Sequence, residues 1–196
     1  MRRFAEFCSI VGLALVMSAG PAGAQGIVRV LMRTELGEIE LEVDSARAPI
    51  TAANFLRYVD ARQYDGGVFH RTVKPDNQPN NDVKIEVIQA RGRRDEGRVR
   101  HPAIPLERTS VTGLRHIDGA LSMARAGPDT ARDEFVICIG DQPSLDFGGA
   151  RNADGQGFAA FGRVSRGMEV VRAIQAAAAE AQQLRPAIQI IEARRM

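Results

Sequence analysis

Glu38-Ile39-Glu40-Leu41-Glu42-Val43, then residues 49–64, then Val68-Phe69-His70-Arg71-Thr72-Val73: across this stretch the hydrophobic period changes twice. The first run alternates, with Ile39, Leu41 and Val43 on one side and three glutamates on the other, as in a half-buried strand. In residues 49–64, Ala52, Phe55, Leu56 and Val59 recur at helical spacing. Pro49 suits the first turn of that helix, and Gly66-Gly67 stops it. The third run alternates again, so Phe69, Arg71 and Val73 are expected on one strand face, lining the inside or the rim of a sheet.

Outward from this stretch the pattern is mostly strand. Residues 28–33 alternate and reach residues 38–43 through a turn at Glu35-Leu36-Gly37, a predicted hairpin. Residues 74–82 hold prolines, asparagines and aspartates and read as a loop. Residues 83–89 form a predicted strand with Val83, Ile85, Val87 and Gln89 on one face. An Arg-rich connection, 90–105, follows. Further strands are expected at 120–124, 134–139 and 158–164, with a loop over 146–157. Met168, Val171, Ile174 and Ala178 mark a second helix that Pro186 is expected to end, and residues 187–193 close with a strand. No βαβ rhythm is present. Many short strands with one early and one late helix predict a mainly β fold, a closed antiparallel barrel capped by two helices.

The chain has 196 residues, 26 basic and 24 acidic, with 44% hydrophobic and 26% charged. That composition fits one globular domain and excludes a disordered or collagen-like chain. A formal net charge of +2 gives no reason to expect a nucleic-acid partner. Met1-Arg2-Arg3, the apolar run from Ile10 to Met17 and Ala22-Gly23-Ala24 follow the order of a secretory signal peptide. Residues 1–24 are therefore expected to be removed, leaving a domain over 25–196 exported to the periplasm. The apolar run falls short of the ~20 residues of a membrane span, so no span is expected after cleavage. Cys8 would leave with the signal. Cys138 lies in the apolar run 135–139 and reads as a small core hydrophobe.

His70, His101 and His116 lack metal-ligand spacing, and no nucleophile-elbow, phosphate-loop or dinucleotide motif occurs. The arginines of residues 91–101 have no interleaved aromatic residue and are tempered by Asp95 and Glu96, so they read as a solvated loop. Arg71 stands apart. An arginine beside an aromatic residue on a buried-facing strand keeps its charge and must find acceptors.

The order of segments gives Arg71 a context. Residues 48–55, Phe69-His70-Arg71, Gln89, Gly119-Ala120-Leu121-Ser122-Met123-Ala124-Arg125-Ala126, Glu134-Phe135-Val136-Ile137-Cys138, Leu145-Asp146, Phe161-Gly162-Arg163-Val164 and Gly167-Met168 resemble the cyclophilin family of peptidyl-prolyl cis-trans isomerases, exported bacterial members in particular. The resemblance implies an eight-stranded barrel with two capping helices and a groove with a proline pocket. It implies catalysis by Arg71, aided by Gln89, with no metal and no cofactor. Phe69, Val87, Ala124, Arg125, Glu134, Val136, Leu145 and Phe158 are implied to bind substrate. The implied partners are proline-containing segments of exported proteins, met by a monomer.

Several positions depart from the family. Glu134 and Val136 replace a Gln and a pocket Phe, Glu86-Val87 replaces a Phe-Met pair, and Ser144 stands where the groove has an aromatic. The loop over 74–82 is longer than usual. These changes leave a second reading open, a cyclophilin-fold binding module with little or no turnover.

Overall fold

The computed structural model describes residues 26–196, so the expected signal segment lies outside the described residues. Strands β1 (Ile27–Thr34) and β2 (Gly37–Asp44) form the expected hairpin, with Ile27 opposite Asp44 and Thr34 opposite Gly37. Helix α1 (Pro49–Asp60) follows, then β3 (Val68–Val73), β4 (Val87–Arg91), the single-turn α2 (Thr109–Thr112), β5 (Ala120–Met123) and β6 (Phe135–Cys138). The chain ends with β7 (Ala159–Arg166), α3 (Met168–Ala176), β8 (Ala179–Glu180) and β9 (Gln183–Arg195). The sheet runs β1-β2-β7-β5-β6-β4-β3-β9, and β9 pairs back onto β1. Eight antiparallel strands therefore close a barrel, and the two-residue β8 hangs from β9.

The barrel interior is one apolar layer. Phe55 of α1 meets Tyr64, Phe135 and Phe161 at centroid distances of 5.3, 5.3 and 5.1 Å. Helix α1 leaves the Asp44 end of β2, and α3 begins beside its opposite end. Gly167, at φ 95°, starts α3 where a Cβ would collide with the Glu38 carbonyl, so only glycine fits that approach. Val170, Val171 and Ile174 of α3 then join the interior cluster.

Three segments differ from the sequence expectation. The strand expected over 83–89 starts only at Val87. Before it, the Gln78 side chain bonds both the N–H and the carbonyl of Ile85, replacing a neighbouring strand. The second helix ends at Ala176, not near Pro186, because Ala177 turns to an extended conformation and leads into the β8–β9 hairpin. Pro186 lies within β9, between the residues that pair with β3 on either side of it, where a missing N–H costs no ladder bond. The third difference, in β3, shapes the site.

Candidate functional site

Between Phe69 and Arg71 the pairing of β3 shifts by one residue against β4, and by three against β9, where the extra residues lie on β9. Phe69 lies opposite Ala90 and Ile188, whereas Arg71 lies opposite Gln89 and Gln183. His70 is the extra residue of a β-bulge, and a bulge reverses the faces of the side chains that follow. The expectation that Phe69 shares a face with Arg71 and lines the groove is therefore corrected. Phe69 is fully buried inside the barrel, 6.2 Å and edge-on from Phe135. Arg71 and Val73 face outward, where Val73 joins Val87 in a second, smaller apolar cluster.

The Arg71 guanidinium is pinned from two directions. Its Nε and Nη2 donate to Gln182 Oε1 at 2.9 and 2.5 Å, and its Nη1 donates to Gln89 Oε1 at 3.0 Å. Gln182 in turn donates to the Asn77 carbonyl at 2.9 Å. On the other side, Gln89 Nε2 donates to Glu134 Oε2 at 2.8 Å, and Glu134 Oε1 accepts from Arg94 at 3.1 Å. A guanidinium has five N–H groups, so two remain, one on each Nη. Burial pulls this guanidinium below the ordinary arginine pKa, and Glu134 opposes that pull.

Beside Arg71 the outer faces of β4 and β6 carry small apolar side chains lining a cavity of about 220 Å³. Of the residues expected at a site, Arg71, Gln89, Val87, Ala124, Arg125, Val136, Leu145 and Phe158 converge on it. Glu134 adjoins through Gln89 and lines a second cavity of about 360 Å³ with Arg94, Arg98, Arg100 and Arg132. The two cavities share Gln89, Ala124 and Arg125, so they form one groove. Arg125 also clamps the groove. Its Nε donates to the Gly157 carbonyl at 2.7 Å, its two Nη groups donate to Asp154 at 2.8 and 2.9 Å, and it lies 4.9 Å from the Phe158 ring centroid. Hydrogen bonds from Arg125 and from the Gln156 backbone hold the Asp154 carboxyl down at about 2.

Beneath the pocket runs a buried chain. His116 Nδ1 lies 2.7 Å from Asp146 Oδ1, and His116 Nε2 lies 2.8 Å from Ser122 Oγ. The residue order resembles a hydrolytic triad, but Ser122 is fully buried and paired across the sheet with Val136. The chain supports the pocket wall from below, next to Leu145. Cys138 shares this layer, and burial pushes its thiol pKa far up, leaving it inert.

Sequence reasoning missed Gln182, Arg151 and Asn152. Ile85 was readable, since it alternates with Val87. Gln182 and Arg151 carry no periodic signal; only barrel closure and loop packing bring them to Arg71.

Residues 29–195 match the family described as "Cyclophilin type peptidyl-prolyl cis-trans isomerase/CLD". The chain is 37% identical over 141 residues to a peptidyl-prolyl cis-trans isomerase of Acinetobacter baylyi, covering 71% of this chain and 68% of that one. It is 32% identical over 164 residues to peptidyl-prolyl cis-trans isomerase A of Dickeya dadantii, covering 83% and 79%. A crystal structure of a Cryptosporidium parvum cyclophilin-type isomerase, determined in the presence of the dipeptide Ala-Pro, superposes with a TM-score of 0.67 at 20% identity, covering 86% of this chain and 98% of that one.

Proposed function

This chain belongs to the cyclophilin-type peptidyl-prolyl cis-trans isomerase family and is an enzyme of that activity; from that premise we propose that Arg71 is the catalytic residue, acting on proline peptide bonds of exported proteins in the periplasm. The X-Pro bond rotates slowly because the imide nitrogen shares its lone pair, with a barrier of ~18–20 kcal/mol. Twisting returns the pair to nitrogen. A guanidinium N–H fixed at that position donates to it, so the twisted state is bound better than either planar one. No bond to the enzyme forms.

One observation carries this reading: the Arg71 guanidinium, pinned between two side-chain amides, Gln182 and Gln89, sits at the rim of a cavity walled by Val87, Val136 and Leu145. The walls suit a proline ring, and Gln89 steadies the arginine. Arg71→Ala is expected to lower kcat/KM about 10²–10³-fold, as for loss of one preorganised donor. Arg71→Lys is expected to recover little, because it loses the fork. Unchanged turnover in Arg71→Ala, followed by exchange NMR on an Ala-Pro peptide, would reject the role. The alternative of a binding module gains support from Glu134, whose carboxylate is already bonded by Gln89 and Arg94. The same assay separates it, since a binder holds the peptide without accelerating exchange. Export rests on residues 1–24, and N-terminal sequencing of envelope protein tests it: a start at Gln25 supports export, and intact Met1 rejects cleavage.

A further inference from the structure

We infer that Arg151 makes the proline pocket selective for a proline that adjoins a carboxylate. The inference rests on the isomerase reading of the Arg71 pocket and names what that pocket prefers. Arg151 belongs to the 147–157 loop and reaches across to the 74–86 segment. Its Nη1 donates to Gln78 Oε1 at 2.9 Å and to the Val83 carbonyl at 2.6 Å. Those two bonds use both N–H groups of Nη1 and fix the plane of the guanidinium. Among the described residues, no acceptor meets its Nε or Nη2. That edge is the one that holds a carboxylate by two parallel hydrogen bonds.

The surroundings sharpen the preference. No Asp or Glu lines the cavity of about 220 Å³, yet three arginines do. Arg125 is neutralised by Asp154. Arg71 is bonded to amides only, and Arg151 to an amide and a carbonyl. Several arginines elsewhere are paired with acids, Arg163 with Glu42, Arg172 with Asp118 and Arg195 with Asp60, while Arg57, Arg108 and Arg132 bond amide or carbonyl oxygens away from this cavity. Two guanidinium groups left without carboxylates around one small, apolar-walled cavity attract an anion strongly. Burial and the neighbouring Arg71 both pull Arg151 below the ordinary arginine pKa, a strain that a bound carboxylate relieves. With the ring against Val136 and Leu145, the carboxylate belongs to the adjoining residue, either an Asp or Glu side chain or the free C-terminus of a chain ending in proline.

The test uses blocked peptides that differ only in charge: Asp against Asn, and Glu against Gln, on either side of a single proline. A further pair ends in proline with a free or an amidated C-terminus. Binding is followed by NMR titration, and turnover by exchange NMR, at low and at 0.5 M salt. The expected result is tighter binding of the charged member of at least one pair by about tenfold, the scale of one charge-assisted contact. High salt and Arg151→Gln should each shrink that ratio toward one, while Arg151→Lys should keep part of it. The pair that responds identifies the source as side chain or terminus. Equal affinity within every pair for the unmodified protein overturns the inference, even if Arg151→Gln proves unstable. If peptides bind with the charge preference but are not turned over, the inference stands and the isomerase reading of the pocket fails.

Discussion

Phe135 and Val136 are neighbours on β6 and belong to different worlds. Phe135 points inward to the layer of Phe55, Tyr64 and Phe69, whose rings it meets edge to face. Val136 points outward to a layer of Val73, Ile85, Val87, Ala120, Cys138 and Leu145, all small or medium side chains. The inner layer is complete by itself. The outer layer leaves a cavity, and the chain surrounds it with clamps: Arg125 on Asp154, Arg151 on Gln78, His116 between Asp146 and Ser122. A close-packed layer gives stability, whereas an unfinished layer framed by polar bonds gives a place to bind.

Truncation separates the two layers most visibly. Phe135→Ala is expected to cost about 3–5 kcal/mol, because the rigid interior cannot collapse onto the void. Val136→Ala, next door, is expected to cost only about 1–2 kcal/mol for two lost carbons beside an existing cavity. Urea denaturation of the two variants checks the ratio. Similar losses would mean that the outer layer is packed as tightly as the interior.

How much of this was legible depends on what kind of signal carried it. Alternation and helical spacing gave most of the strands along the chain, both capping helices and the shared face of Val87 and Gln89, because burial imposes a period on sequence. Phe69 was misread because a one-residue bulge at His70 leaves no trace in a hydrophobic pattern, yet it inverts a face. Gln182 lies 111 positions from Arg71 and is one amide among several in its segment. It becomes an acceptor only because β9 runs beside β3 when the barrel closes. Arg151 needed two loops to meet. Pattern reports the layers, and only the closed chain reports the clamps.

Support beneath the pocket gives the next, smaller effect. His116→Ala leaves Asp146 and Ser122 buried without their shared partner, and is expected to cost about 1–3 kcal/mol. The same residue predicts a pH dependence. Burial lowers the pKa values of His116, His70 and His101, opposed by Asp146 at His116 and Glu134 at His70, and reinforced by Arg57 at His101. With the folded values below the unfolded ones, all forms are neutral at high pH and nothing is lost there. As pH falls through about 6.5 the unfolded chain takes up protons that the folded one refuses, so stability declines. Denaturation at pH 7.5 and 5.5 measures the slope, and His116→Ala should flatten it. A protein equally stable at both values contradicts the direction of all three shifts.

Filling the unfinished layer has the smallest expected effect. Val136 borders the cavity of about 220 Å³ together with Val87 and Leu145. A substrate proline there meets less surface than a phenyl ring would give, and each missing methylene of pocket contact is worth about 1–3 kcal/mol. Val136→Phe is therefore expected to raise kcat/KM on an Ala-Pro peptide several-fold, with the melting temperature unchanged. Opposing this is overpacking, since Phe158 and Ile85 share the same walls and a ring forced against them costs about 1–3 kcal/mol. The two effects separate cleanly. Higher turnover at constant stability means that the cavity is open space for a proline ring. Lower stability with flat or reduced turnover means that the loops carrying Ile85 and Arg151 already define a different shape, one to which an added ring is a competitor for the substrate.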